Sequence, residues 1–505
     1  MLYIGGKKNH AHREEERLRS ASENEVRSEA REACLLRVKH EKLVFFAHYG
    51  KIFLSPRAIM LGLFLHFIGR VSMNSIYKDI AVAAPKILLP KKGTDLSKWA
   101  VIACDQFTSE PKYWEDVENT VGKAPSTLRM FLPEVYLEKE TPERINERLS
   151  NITSSINSYI DEGTLTELDP GFILLNRKTK VNESRKGLML ALDLEQYDFT
   201  PGNKSRIRAT EGTVLSRIPP RVRIRERAPI EMPHIMVLIN DPKRTVIEPA
   251  FDAVSKDAAN LVYDTDLMMD GGHIKGYFTP ADSSVAEGII SALRGLLAAS
   301  EDGFLFAVGD GNHSLATAKK HWENVRETLP ESERESHPAR YCLVEIVNIH
   351  DNGLQFEPIH RVTFGLTKEK LVEAANTYFA SQDIKFTEAG AFAKEGTADG
   401  SQTILVTTGK EDFTMVIGKP AHTLAVGSLQ GFLDSIESDS IHTDYIHGED
   451  SVRSLAEEDK LGFLLPDVSK NSFFETISKE GVFPRKTFSM GEAIEKRYYL
   501  EAKKI

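Results

Sequence analysis

The sequence predicts an α/β fold of the mixed α+β kind, with mixed sheets arranged in two lobes. Three observations predict it. From Ile80 onward, short apolar runs alternate with amphipathic stretches of helical length. Gly122, Gly163, Gly303 and Gly481 each stand just past such a stretch, where a left-handed residue ends a helix at little cost. The chain has 505 residues, 41% hydrophobic and 27% charged, which is ordinary globular composition with enough length for more than one lobe.

Taken in order, AVIAC (100–104) is a short strand that runs into Asp105 and Gln106. SEPKYWEDVENTVG (109–122) is a helix with Ser109 as its N-cap, and RINERLSNITSSINSYIDEG (144–163) is a second amphipathic helix. FILLNRKT (172–179) and GLMLALDLEQY (187–197) form a hairpin-like pair of strands. Arg221, Arg223 and Arg225 alternate, which on a strand puts them on one face. HIMVLIND (234–241) and TVIEP (245–249) read as strands around a turn. SVAEGIISALRGLLAASEDG (284–303) is a helix, and FLFAV (304–308) is a strand that leads directly into another helical pattern. ARYCLVEIVNI (339–349) is a buried strand with LQFEPIHRVTF (354–364) as its neighbour. TKEKLVEAANTYFAS (367–381) is a helix, GAFAKEGTADGSQ (390–402) a glycine-rich loop and TILVTTGKEDFTMVIGK (403–419) a hairpin. LGFLLP (461–466) is a strand, and VSKNSFFETISKEG (468–481) is the helix after it.

The formal net charge of −10 disfavours nucleic acid as a partner, because phosphate-backbone binding needs a concentrated positive surface. Cys34, Cys104 and Cys342 stand far apart, with no CxxC, which suits a reducing, cytoplasmic setting. Residues 1–72 differ from the rest. A charge-rich stretch leads to AIMLGLFLHFIG (58–69), too short for a membrane span of ~20 residues. The expectation is a non-native or disordered extension over 1–72, with 73–505 as the globular catalytic region. A targeting segment is the rival. No membrane partner is expected, and dimerisation is left open.

The functional signal is Gly309-Asp310-Gly311-Asn312-His313-Ser314, set between a strand and a helix. Helix N-termini present unpaired N–H groups at the positive end of the macrodipole, which suits an anion such as phosphate. Gly309 and Gly311 permit positive φ and close approach of a ligand. Asp310 repels phosphate, so it suits Mg²⁺ or a substrate ammonium or hydroxyl. His313 can donate to phosphate or act as acid or base. The plainer reading is a capped turn with a surface histidine.

Further along the chain, Glu211 sits in a Thr-Glu-Gly turn between basic regions that hold Arg208 and Arg221. A carboxylate among phosphate-binding arginines can deprotonate an attacking hydroxyl. His360-Arg361 and Lys486 are additional phosphate candidates. His442, Asp444 and His447 lack a third strong ligand for zinc. Cys104 reads as a buried, inert thiol.

AVGDGNHSLATAK resembles the signature box of the domain-of-unknown-function 1015 family. LLPKKGTDLSKWAVIACDQFTSEPKYW, IRATEGTVLSRIPPRV, IHTDYIHGEDSV and LGFLLPDVSKNSFFETISKEGVFPRKTFS fall in the family's order, over roughly residues 79–505. The box also resembles the phosphate-binding box of the ParB/sulfiredoxin superfamily, which includes free-serine kinases. That resemblance implies a nucleotide-binding corner with ATP or ADP and Mg²⁺, and phosphoryl transfer to a small hydroxylated metabolite such as L-serine. Asp310, Glu211 and His313 would be catalytic, with Asp310 on the metal. Gly309, Gly311, Asn312, Ser314, Arg208, Arg221, His360 and Arg361 would hold the nucleotide. The superfamily's box ends in arginine where this chain has Ser314, so Arg208, Arg221 or Arg361 must supply the missing charge. A nucleotide hydrolase, or a binding protein without turnover, remain the alternatives.

Overall fold

The strands of the larger sheet obey a two-residue alternation that sends neighbouring side chains to opposite faces. Phe172, Leu174, Leu188, Leu190 and Leu192 enter one core. Ile173, Leu175 and Met189 enter another. A sheet buried on both faces needs cover on both. Helices Ile247–Val254, Ser284–Ala299 and Asn312–Thr328 contribute to the first core, and Pro111–Val121 and Pro142–Asp161 to the second. The computed structural model describes residues 76–137, 139–388 and 399–505, all within one compact unit, Asn74–Ile505. The expectation for residues 1–72, and most of the loop at 390–402, lie outside the described residues.

The larger sheet is mixed. Its central order is Leu261–Leu267, Gly272–Pro280, Leu165–Lys178, Arg185–Asp193, Tyr341–Asn348, Met236–Ile239, Phe306–Asp310, then Ile207–Ala209. Met236–Ile239 runs parallel to Tyr341–Asn348 and antiparallel to Phe306–Asp310, which in turn is parallel to Ile207–Ala209. A smaller antiparallel sheet contains Ile384–Glu388, Asp412–Ile417, Gln402–Thr407, Lys460–Leu464, Phe356–Phe364 and His442–His447. Helices Lys368–Tyr378 and Ala425–Ile436 share a third core with it. The mixed α/β class holds.

Four local expectations need correction. Phe356–Phe364 does not neighbour Tyr341–Asn348. It pairs with His442–His447 and Lys460–Leu464, so the chain changes sheets there. TVIEP is not a strand: the Asp241 carboxylate accepts from the Thr245 and Val246 N–H groups, and the helix Ile247–Val254 follows. Arg221, Arg223 and Arg225 lie on a helix, Ile218–Arg225, whose first turn holds Pro219 and Pro220, where missing N–H groups cost nothing. The helix at Pro111–Val121 starts with a proline after Glu110, and no side chain caps it, so Ser109 is not its N-cap.

The C-terminal segment ties the molecule together. Phe488–Met490 pairs with Phe356–Pro358, Tyr498–Tyr499 with Val101–Ile102, and Lys503–Lys504 with Ile230–Glu231. No helix among the described residues is long and apolar enough to cross a membrane.

Candidate active site

Phe306–Asp310 delivers the box to the mouth of a cavity of about 1330 Å³. Small-molecule pockets are typically roughly 300–1,000 Å³, so this cavity is larger than one such ligand needs. Gly309 through Ser314 all line the cavity, along with Glu211, Arg217, Arg221, Lys486 and Lys496.

The turn is built by glycine for two different reasons. Gly311 has φ +82°, and a Cβ there would lie 3.0 Å from the Ile235 side chain. Gly309 keeps an ordinary φ. A Cβ there would lie 2.8 Å from Met490 Cε and 3.0 Å from Leu238 Cγ, so glycine gives close packing rather than a positive φ at this position, which corrects the expectation of positive φ at both. The Gly311 N–H donates to Asp310 Oδ1 at 2.9 Å. No side chain caps the helix Asn312–Thr328, and its first bond runs from the Leu315 N–H to the Gly311 carbonyl. The N–H groups of Asn312, His313 and Ser314 therefore lack intrahelical partners at the positive helix end.

Asp310 meets Lys496 Nζ at 3.1 Å. Burial works against its ionisation, but the Lys496 charge and hydrogen bond, His234 and the Gly311 N–H outweigh that. The carboxyl is held below the usual range. Glu211 behaves oppositely. Burial pushes its carboxyl up, the Asp310 charge adds to this, and Lys486 and Lys496 only partly offset it. Glu211 feels the Asp310 charge, and the two carboxyls shift in opposite directions, the pattern that separates a base from a permanent anion.

Asn312 has a structural task. Its Oδ1 accepts from the Thr210 N–H at 3.2 Å, and its Nδ2 donates to Thr210 Oγ1 at 3.3 Å, fastening the corner to the segment that carries Glu211. The side chain is thereby spent, which leaves the backbone N–H of Asn312 as the group that can answer a phosphate. His313 Nε2 accepts from the Val214 N–H at 3.2 Å, so the ring proton sits on Nδ1. Burial, then Arg217, Arg221 and Arg485, hold the imidazole below its usual range, so it is neutral near pH 7. It can donate through Nδ1 but has no free nitrogen to accept a proton, which corrects its reading as an acid or base.

Of the three arginines expected to answer Ser314, Arg221 alone lines the cavity. It bonds Glu134 at 2.6 Å. Arg208 is buried elsewhere, paired with Asp302 at 2.7 Å and stacked over Phe304. Arg361 is fully buried, with its guanidinium donating to Gln430 and to the carbonyls of Ile359, Arg485 and Lys486. His360 Nδ1 accepts from the Leu465 N–H, and burial pulls its imidazole down to about 4. Neither His360 nor Arg361 lines the cavity. Arg361 instead holds the backbone of Lys486, whose φ of +57° is uncommon for a side-chain-bearing residue.

Lys496 and His234 escaped the sequence reading, and Arg217 stood in it only as one arginine of a basic stretch. The only available signals were distributed ones: a lysine near the C-terminus, an arginine just ahead of a Pro-Pro pair and a histidine opening a strand. His234 Nδ1 shares a hydrogen bond of 2.8 Å with the Tyr499 hydroxyl, which also lies 3.3 Å from Cys104 Sγ. Cys104 lines the cavity, but burial and the Asp105 charge push its thiol far up, so it is no thiolate nucleophile. His442 and Asp444 share one face of their strand and His447 the other, so these three do not converge; His447 Nε2 instead meets Glu357 Oε2 at 2.7 Å, with Glu492 close by. Lys275 pairs with Asp264 on a plain hairpin outside the cavity.

The family model described as protein of unknown function (DUF1015) matches residues 88–436. No curated protein matches the chain. Among solved structures, the chain is similar to a free serine kinase in complex with AMP (11% identity, TM-score 0.33, 63% of this chain and 91% of that one). It is also similar to SbnI from Staphylococcus aureus (11% identity, TM-score 0.33, 62% and 87%). A conserved hypothetical protein from Pyrococcus furiosus matches with 11% identity, TM-score 0.29 and coverage of 63% and 94%.

Proposed function

This chain belongs to the DUF1015 family, and from that premise we propose that it is a nucleotide-dependent phosphotransferase acting on a small hydroxylated metabolite, with free L-serine the leading acceptor. The observation that carries the reading is the pairing of Glu211 with an uncapped helix start inside one cation-lined cavity. The free N–H groups of Asn312, His313 and Ser314 hold phosphate oxygens of ATP or ADP. Lys486, Arg217 and Arg221 balance the negative charge that Ser314 leaves unanswered.

Glu211 takes the proton from the acceptor hydroxyl as its oxygen attacks the terminal phosphorus. The new O–P bond forms as the bond to the departing nucleotide breaks, and the proton stays on Glu211. A carboxyl raised by burial is a better base than an ordinary surface glutamate. Asp310, kept ionised by Lys496, orients the acceptor through its hydroxyl or ammonium. Mg²⁺ takes one or two carboxylates plus phosphate oxygens, and Asp310 beside Glu211 suits that donor set. Bound there, the ion would neutralise charge on the nucleotide phosphates.

The test incubates the protein with ATP or ADP, Mg²⁺ and L-serine, then a panel of other hydroxylated metabolites, with mass spectrometry for the phosphorylated product. Phosphate release that needs no acceptor would replace this reading with a hydrolase. Nucleotide binding without any turnover would replace it with a binding switch.

A further inference from the structure

At the edge of the smaller sheet, Phe356–Phe364 runs antiparallel to His442–His447, with Ile359 directly across from His447. Glu357 stands two residues from Ile359, so Glu357 and His447 are diagonal neighbours on one face, a separation that long side chains span. On its other side Glu357 lies across from Ser489 of the C-terminal segment. Past Gly491, whose φ is +69°, that segment presents Glu492. One imidazole and two carboxylates from three separate segments thus meet. His447 Nε2 lies 2.7 Å from Glu357 Oε2, and the ligand atoms of His447, Glu357 and Glu492 all lie within 4.8 Å of one another.

An ion pair alone leaves this group short of positive charge. Among the described residues no Lys or Arg pairs with Glu357 or Glu492, and an imidazole supplies countercharge only when protonated. Carboxylates this close repel each other unless a cation joins them. Acidic side chains often gather on surfaces without an ion; the imidazole nitrogen turned onto the carboxylates is what sets this group apart. The donor types also select the ion. Mg²⁺ and Ca²⁺ take oxygen donors, whereas imidazole nitrogen suits zinc and its transition-metal neighbours. Zinc accepts one nitrogen and two carboxylate oxygens with water in the fourth position, and the His447 and Glu357 side chains are 43% and 41% exposed, so water reaches them. Zinc–ligand bonds of roughly 2.0–2.2 Å place neighbouring ligands roughly 3.3 Å apart in a tetrahedron. The present spacing, from 2.7 Å to no more than 4.8 Å, needs only side-chain rotation to reach that arrangement.

We propose that Glu357 Oε2, His447 Nε2 and a carboxylate oxygen of Glu492 bind one zinc ion, with the imidazole proton on Nδ1 and water completing the tetrahedron. Glu492 opens the turn Ala493–Glu495 that leads into Lys496, the partner of Asp310. The ion therefore clamps the edge strand of the smaller sheet to the segment that delivers Lys496. It is separate from the Mg²⁺ read at Asp310 and Glu211, and it holds whether or not the cavity transfers phosphate.

The test uses the full chain, stripped with a chelator and dialysed. Zn²⁺ is titrated by calorimetry, and bound metal is counted by elemental mass spectrometry. One zinc per chain is expected, with a Kd of about 1 μM or tighter. Zinc at about 100 times its Kd should raise the thermal midpoint by roughly 3 °C. His447→Gln and Glu492→Gln should each weaken zinc binding by at least about 100-fold, beyond the usual effect of a residue that only supports a ligand. Glu357→Gln gives a third variant, and circular dichroism confirms that each one counted is folded. Asp444→Asn, on the opposite face of the same strand, should bind zinc as the parent does. No zinc bound at roughly 100 μM overturns the proposal, as does equal binding by the parent and the folded ligand variants. A loss in Asp444→Asn as large as that in His447→Gln overturns it too. Zinc that binds without raising the midpoint marks an adventitious ion only and overturns it equally.

Discussion

The cations of this protein divide into those that face the candidate active-site cavity and those that the fold consumes, and sequence position does not separate them. Lys486 looks into the cavity, and Arg221 lines it as one half of a pair with Glu134. Arg208 and Arg361 sit in equally suggestive motifs, yet their guanidiniums are spent on Asp302 and on backbone carbonyls. The consumed group sets the stage for the facing one. Arg361 grips the carbonyl of Lys486, and that grip fixes a strained backbone from which the lysine reaches the cavity. A charge is available to a ligand only when its donors are not already used, and that depends on partners far away in the chain.

The sharpest way to break this comparison is to remove the two carboxyls that face the same cations. Glu211→Gln should reduce turnover by roughly 10²–10⁴-fold, the usual contribution of a general base. Asp310→Asn should reduce it comparably while leaving the fold intact, since it removes charge without changing shape. Rates with saturating nucleotide and acceptor, together with circular dichroism, check both. Near-normal activity in Asp310→Asn would reduce Asp310 to a turn residue.

The next effect separates consumed from facing cations. Arg208→Met should destabilise the protein by roughly 2–3 kcal/mol, because it leaves Asp302 without its partner and abandons a stacked guanidinium. Nucleotide affinity of the folded molecules should be unchanged. Lys486→Met should do the reverse, weakening nucleotide binding by about 1.5 kcal/mol with little change in stability. Denaturant titration and calorimetric binding on both variants give the two readouts. Weakened binding in Arg208→Met with none in Lys486→Met would invert the assignment.

These contrasts also show what the sequence could convey. Elements with strong local signals were legible: the helix Ser284–Ala299, the hairpin Gln402–Thr407 with Asp412–Ile417, and the corner itself at Gly309–Ser314. The Ile218–Arg225 helix was misread because alternating arginines gave a two-residue period, although Pro219-Pro220 marked a helix start. Glu211 was legible because it sits in a short turn beside basic residues. Lys496 was not, because its meaning comes from Asp310, a partner 186 residues earlier that only the returning C-terminal segment brings within 3.1 Å. Asn312 and His313 belong to the corner as expected, but their side chains are turned to Thr210 and Val214, contacts that no local pattern encodes.

The smallest expected effect concerns stability and pH at Glu211. Burial raises its carboxyl pKa in the folded state above the unfolded value, with Asp310 adding to the shift. The folded state therefore holds this proton more tightly than the unfolded chain does. The stability associated with Glu211 is fully present below the ordinary glutamate pKa, and it is lost as pH rises through the raised folded value. Above that raised value the group is ionised in a place that disfavours the charge, so the fold carries a cost there. Glu211→Gln removes that cost. The variant should unfold at a higher midpoint than the parent at pH 7, by an effect of order 0.5 kcal/mol, and the difference should vanish toward pH 4. In the parent, the acidic limb of the rate profile should lie above the ordinary glutamate range, because the base works only when deprotonated. Melting curves across pH, set beside that profile, link the two. A variant less stable than the parent at pH 7 would show that the charge of Glu211 is satisfied by Lys486 and Lys496, and the carboxyl would then be a structural ion-pair partner rather than a base held ready for an acceptor hydroxyl.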